Sequence, residues 1–153
     1  APRLEMNVET KMSAQDPQWK LDPNHFTIKI VELLRKYGAV KKTILQSFDF
    51  STLQAAKKIE PTLRLSCLFE GTENFCDPTR KIGAHFASPN FQTVTADEVT
   101  LCHHQGIQVV PWTANTESEW RSLIDMQVDA IITDYPRKLS TFISQLTRHL
   151  DKK

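Results

Sequence analysis

The chain has 153 residues, 40% of them hydrophobic, with 19 basic and 18 acidic side chains and a formal net charge of +1. That length supports one domain with a real core, and the balanced charge, with no basic run longer than Lys41–Lys42, argues against nucleic acid or a charged membrane surface as partner. Its apolar stretches are strand-sized, far short of the roughly 20 residues that span a bilayer, so no transmembrane helix is expected, and residues 1–15 lack the apolar core of a signal peptide.

Residues 4–10 read as a strand. Alternation along it places Asn7, Glu9 and Lys11 on one face and Met6, Val8 and Thr10 on the other. If the first face is the inside of a barrel, a carboxylate metal ligand and an anion-binding ammonium lie side by side; a surface strand with an exposed ion pair accounts for the same residues. A polar loop through Pro17 and Pro23 leads into a helix, in which Phe26, Ile30, Leu33, Leu34 and Tyr37 recur at helical spacing and Gly38 supplies the stop. Residues 42–48 form the next strand, and a helix from Ser51 to Ile59 ends before Pro61.

Arg64–Phe69 is a third strand, and a Gly-, Asn- and Pro-containing loop delivers a short fourth at 83–88. Thr95–Glu98 has the form of a capping box, opening a helix that ends at Gly106. Ile107–Trp112 is the fifth strand, and Thr116–Glu119 is a second capping box, behind which a helix turns Trp120, Leu123 and Ile124 inward. Val128–Thr133 is the sixth strand, and the turn at Asp134–Pro136 starts a last helix.

Three cysteines, Cys67, Cys76 and Cys102, cannot all pair with one another and match no zinc spacing. They are read as buried free thiols, with a Cys67–Cys76 bridge as the alternative. The compartment stays open between periplasmic or secreted and cytoplasmic, for a soluble protein.

Alternating strands and helices are the pattern of repeated β-α units around a parallel sheet. Six units suggest a (β/α)8 TIM barrel, whereas closure takes eight strands and roughly 200 or more residues. The expectation is therefore an α/β chain forming one domain over 1–153, the C-terminal portion of a barrel whose N-terminal strands are missing. Its free edges would need a partner, either the missing N-terminal barrel segment or further copies in a homo-oligomer.

Four strand-end motifs, Asn-Val-Glu-Thr-Lys at 7–11, Gln-Ser-Phe at 46–48, Pro-Trp-Thr-Ala-Asn at 111–115 and Ile-Ile-Thr-Asp-Tyr-Pro at 131–136, resemble the glycerophosphodiester phosphodiesterase family of TIM-barrel hydrolases, in that family's order from its third strand to its eighth. The pairing of Trp-Thr-x-Asn with Ile-Ile-Thr-Asp-Tyr-Pro about 16 residues later is the specific part. The resemblance implies hydrolysis of a glycerophosphodiester to an alcohol and glycerol 3-phosphate, with a divalent cation, Mg²⁺ or Ca²⁺, as cofactor. It further implies that Glu9 is one metal ligand and that Lys11 holds the phosphate as a catalytic and substrate-binding cation. Oxygen ligands suit a hard cation, and a cation beside Lys11 offsets phosphoryl charge.

The family's two histidines and its Glu-x-Asp metal ligands have no counterpart here and would lie upstream of Ala1. The chain alone is therefore expected to be inactive. Phe48 and Trp112 are the candidate substrate-binding aromatics, with core packing as the other account of Phe48. Asn115 reads either as part of the site or as a residue that stabilises its own turn, and Asp134 and Tyr135 shape the last turn. His85 is the one local substitute for a catalytic imidazole; a satisfied buried histidine is the alternative. His103 and His104 are adjacent on a helix and cannot share a metal-binding face. A second functional class stays open, a non-catalytic barrel-derived module that binds a phosphate ester or a protein.

Overall fold

The computed structural model describes residues 4–11, 22–71 and 74–150, with side chains through residue 148. Strands β1 (Met6–Thr10), β2 (Thr43–Ser47), β3 (Arg64–Phe69), β4 (Phe86–Pro89) and β5 (Gln108–Val109) form one parallel sheet in chain order. Helices α1 (Pro23–Lys36), α2 (Phe50–Ile59), α3 (Cys76–Ile82) and α4 (Ala96–His104) make the crossovers, and α5 (Glu117–Asp125) and α6 (Pro136–Leu150) follow β5. Parallel strands added one beside the next through right-handed crossovers keep every helix on the same face. The register separates the two faces. Val8, Leu45 and Leu65 lie in one row, and Cys67, Ala87 and Val109 in another, and all of these pack with Val31, Leu53, Val99, Trp120 and Leu123 in the core under the helices. Burying each such Leu contributes about 1.5–3 kcal/mol. The opposite face carries the row Glu9, Gln46, Ser66, Phe86 and Gln108.

Helix starts follow the local chemistry. The Asp22 carboxylate accepts from the N–H groups of Asn24 (3.3 Å) and His25 (3.2 Å), with Pro23 next in line, and Asp49 accepts from Ser51 N–H at 2.9 Å; short polar caps satisfy the first free donors of a helix. The Thr116–Glu119 box is reciprocal. The Thr95–Glu98 box is not: Thr95 accepts from Glu98 N–H, but the Glu98 carboxylate reaches Phe75 N–H at 2.9 Å and ties α4 to the start of α3 instead.

Three other expectations change. Residues 76–82, expected as loop, form α3, because Asn74 Oδ1 accepts from the N–H groups of Cys76 (2.9 Å) and Asp77 (3.1 Å) and Gly83 ends the helix at φ 71°; residues that looked like loop formers are its caps. The cysteines are not all free thiols, nor are Cys67 and Cys76 bridged: Cys76 of α3 and Cys102 of α4 form a disulfide with Cα atoms 5.3 Å apart, while Cys67 on β3 stays free and buried. Last, residues 128–133 do not form a sixth strand, and β5 is shorter than 107–112. The two segments still run together, through Asp129 N–H to the Val109 carbonyl (3.0 Å) and Ile132 N–H to the Pro111 carbonyl (2.9 Å). A regular ladder fails because Pro111 has no N–H and the Val109 N–H is taken by the Asp129 side chain at 2.7 Å. Among the described residues no helix is long and apolar enough to cross a membrane.

Candidate active site

In a sheet of this type the carboxyl ends of the strands are where ligands bind, and the strand-end motifs converge there. Glu9 closes the lumen-side row of β1 and Lys11 follows it; Lys11 Nζ lies 3.8 Å from Glu9 Oε1, with the lysine side chain 83% exposed and the carboxylate 30% exposed. Beside them, Asn7 Nδ2 donates to Gln46 Oε1 at 2.8 Å. Ser47 Oγ donates to the Thr10 carbonyl at 3.1 Å and pins β2 to β1 at this end. On the same face, Ser66 of that row and Ser88, two residues on from Phe86, pair their hydroxyls at 2.8 Å, buried between β3 and β4.

The aromatic side of the mouth is built by β2 and the segment after β5. Phe48, just past β2, is 46% exposed, which removes core packing as its role. Its ring meets Trp112 edge to face, with centroids 5.6 Å apart. Trp112 is half-buried, and its indole N–H donates to the Ser88 carbonyl at 2.8 Å, so one edge of the ring is fixed and another faces Phe48.

Asn115 does more than stabilise its own turn. Its side chain accepts from Asp134 N–H (2.9 Å) and Thr133 Oγ1 (3.1 Å) and donates to Asp134 Oδ2 (2.7 Å), while Asn115 N–H donates to Glu119 Oε2. It therefore joins the segment after β5 to the segment before α6. Bonds from the Asn115 and Thr116 N–H groups hold the Glu119 carboxyl below its ordinary range. Tyr135 stands next in the chain, with Lys138 Nζ 4.6 Å from its ring centroid.

His85 and His103 lie away from this cluster. His85 precedes β4 at the amino end of the sheet, and its Nδ1 accepts from Leu65 N–H at 3.3 Å. Burial first, then the charges of Lys57 and Arg64, lower its pKa. It is a structural acceptor at the wrong end of the strands, and not a substitute catalytic imidazole. His103 pairs with Asp129 at 2.9 Å on the same amino-end side. Among the described residues no three His, Cys, Asp or Glu side chains come together as a metal-binding group, so Glu9 contributes one oxygen donor of the right hardness and does not by itself make a cation site.

Sequence reasoning named Glu9, Lys11, Phe48, Trp112 and Asn115, with Asn7 on the face of Glu9 and Gln46 on the face of Phe48, but it paired neither Asn7 with Gln46 nor Ser66 with Ser88. Their signal was available in the period-2 alternation of β1 to β4, which places polar residues on one face of otherwise apolar strands. What alternation does not give is the register that makes them neighbours.

The sequence model of the glycerophosphoryl diester phosphodiesterase family matches residues 2–138. The glycerophosphodiester phosphodiesterase of Caldanaerobacter subterraneus subsp. tengcongensis is 25% identical over 116 residues, covering 75% of this chain and 48% of the relative. That of Bacillus subtilis is 26% identical over 110 residues, covering 69% of this chain and 38% of the relative. Among solved structures, a Silicibacter pomeroyi protein superposes with a TM-score of 0.83 at 24% identity over 94% of this chain and 51% of its own. An Oleispira antarctica phosphodiesterase in complex with the product sn-glycerol-3-phosphate superposes at 0.73 and 19% identity, over 80% of this chain and 50% of its own. The chain thus spans half or less of the length of the curated relatives it matches.

Proposed function

Since the chain belongs to the glycerophosphoryl diester phosphodiesterase family, we propose that it is the C-terminal portion of the barrel, one domain over 1–153, of an enzyme that hydrolyses glycerophosphodiesters to an alcohol and glycerol 3-phosphate. The observation that carries this reading is the convergence of Glu9–Lys11, Phe48 and Trp112 at the carboxyl ends of parallel strands. Lys11 is the cation that holds the phosphate, and the Phe48–Trp112 pair presents apolar surface to the rest of the diester. Glu9 is one oxygen ligand of a divalent cation, Mg²⁺ or Ca²⁺, and the remaining ligands come from sequence outside this chain. That cation, when bound, polarises the phosphoryl oxygens.

The open edges support the same reading. A 520 Å³ groove is lined by Asn7 of β1, by Ile131, Ile132 and Thr133, and by Leu139 and Ile143 of α6. It lies between the two free edges of the sheet, where further β-α units complete a barrel. On this reading the chain alone is inactive and depends on that segment for the catalytic histidines and the remaining metal ligands, as the resemblance to the family implies. The test is release of glycerol 3-phosphate by the complete protein, its loss on chelation, and its loss in Glu9→Gln. Chelation without effect removes the cation, and a complete protein that turns over no glycerophosphodiester favours the second reading, a phosphate-ester-binding module without catalysis, which the lone carboxylate supports.

A further inference from the structure

We propose that Gln46 is a substrate-binding residue that recognises a hydroxyl of the glycerol moiety, with Asn7 as the positioning residue that sets its amide. This rests on the reading of the site as one for glycerophosphodiesters. Gln46 is only 8% exposed, and an amide so enclosed ordinarily has both ends paired. Its Oε1 accepts from Asn7 Nδ2 at 2.8 Å, whereas its NH₂ group donates to nothing among the described residues. Nor is that nitrogen sealed away. The fully enclosed side-chain atoms without partners, among the described residues, are Thr52 Oγ1 and Gln105 Oε1, so the Gln46 NH₂ keeps an open approach.

Position says what approaches. In the lumen-side row Gln46 stands directly opposite Glu9 and two residues before Phe48, beneath the aromatic pair at the mouth. Lys11 and the cation that Glu9 would hold meet the phosphoryl charge, which leaves the neutral Gln46 NH₂ for an uncharged acceptor. A hydroxyl suits both neighbours, since it accepts from an N–H and donates to a carboxylate at once. Asn7 matters because its own NH₂ takes the Gln46 oxygen, which leaves the donor end of the amide facing the lumen. A site built to hydrogen-bond a hydroxyl discriminates against a ligand without one, because the protein donor is then left unpaired.

The experiment compares glycerol 3-phosphate with inorganic phosphate by calorimetry on the complete protein, for wild type, Gln46→Met and Gln46→Glu. Methionine keeps the volume and removes both polar ends; glutamate keeps the acceptor for Asn7 and removes the donor. Both variants should lose about ten-fold in preference for glycerol 3-phosphate over inorganic phosphate, the ratio cancelling any general effect of the added charge on anions. Asn7→Leu should give a smaller loss in the same direction. An unchanged ratio in both Gln46 variants, or a wild type that does not prefer glycerol 3-phosphate, overturns the assignment. Hydrolysis is measured separately on the wild type: binding with the expected ratios but no turnover would sink the hydrolase reading and leave the Gln46 assignment standing.

Discussion

Phe48 and Trp112 meet edge to face with ring centroids 5.6 Å apart, although β3 and β4 lie between the strands that lead to them. In a flat sheet three strand spacings amount to roughly 14 Å. The contact therefore spans a chord of a strongly curved sheet, and it is the curvature that brings two distant motifs to one mouth. Such a pair contributes about 0.5–1.5 kcal/mol beyond its buried area. A double-mutant cycle of Phe48→Leu and Trp112→Leu, read by urea unfolding, should return a coupling energy in that range. Additive effects would mean that the rings do not meet in solution.

Lys11 and Trp112 should separate in kinetics of the complete protein. Lys11 is a point charge beside Glu9 and Trp112 an apolar ring fixed through Ser88. Lys11→Met should depress turnover and weaken inhibition by inorganic phosphate, for every diester alike. Trp112→Ala should mainly change the preference among diesters with different alcohols. If Trp112→Ala lowers kcat/KM equally across three alcohols, the indole only shapes the mouth; if phosphate inhibits Lys11→Met as well as wild type, Lys11 is outside the site.

The parallel α/β pattern was legible because hydrophobic period and caps are local properties. The helix opened by Thr116 begins where its capping box predicts. Failures came where a side chain was claimed by something distant. Glu98 left its own helix for Phe75 N–H, Asp129 displaced a ladder bond at Val109, and Cys76 found Cys102 once α3 formed. The site divides the same way. Its charged and aromatic members stand in recognisable motifs, whereas the Asn7–Gln46 and Asn115–Asp134 pairs exist only once register and curvature are set.

Cys67 should be unreactive in the folded protein. Burial pushes its thiol up to about 12, against a smaller opposing effect of a hydrogen bond with Thr79, so the nucleophilic thiolate is scarce and enclosed. Iodoacetamide at pH 8 should leave Cys67 unmodified in native protein and alkylate it in 6 M urea, with the modified peptide read by mass spectrometry. Labelling of the native protein at the rate of a free thiol would contradict the burial.

Asp129 should make stability fall in acid. Burial raises its pKa, but the bonds from Val109 N–H, His103 and Gln108, with the His103 charge, outweigh this and hold the folded carboxyl below its ordinary value. A depressed folded pKa gives stability that is present above the unfolded value, about 3.9, and is lost as pH falls through the lower folded one. Urea midpoints of wild type and Asp129→Asn should differ most above the unfolded carboxylate value and draw together as pH falls through the lower folded one. A difference that stays constant from pH 7 to pH 2.5 would show that the carboxylate's charge contributes nothing.

Asn115→Ala should loosen the mouth without emptying it. The side chain provides three hydrogen bonds to Thr133 and Asp134, and its loss leaves those partners to find water at a half-exposed position. The expected cost is about 1–3 kcal/mol. Asn115→Asp separates geometry from chemistry, because it preserves the acceptor for Asp134 N–H and Thr133 Oγ1 while replacing the donor to Asp134 Oδ2 with a second carboxylate. Like charges at 2.7 Å repel, so Asn115→Asp should be at least as destabilising as Asn115→Ala at pH 7 and recover part of the loss near pH 4, where one carboxyl of the pair takes a proton. Equal midpoints for Asn115→Asp at pH 7 and pH 4, each corrected for wild type, would mean that the two carboxylates turn away from each other and do not interact.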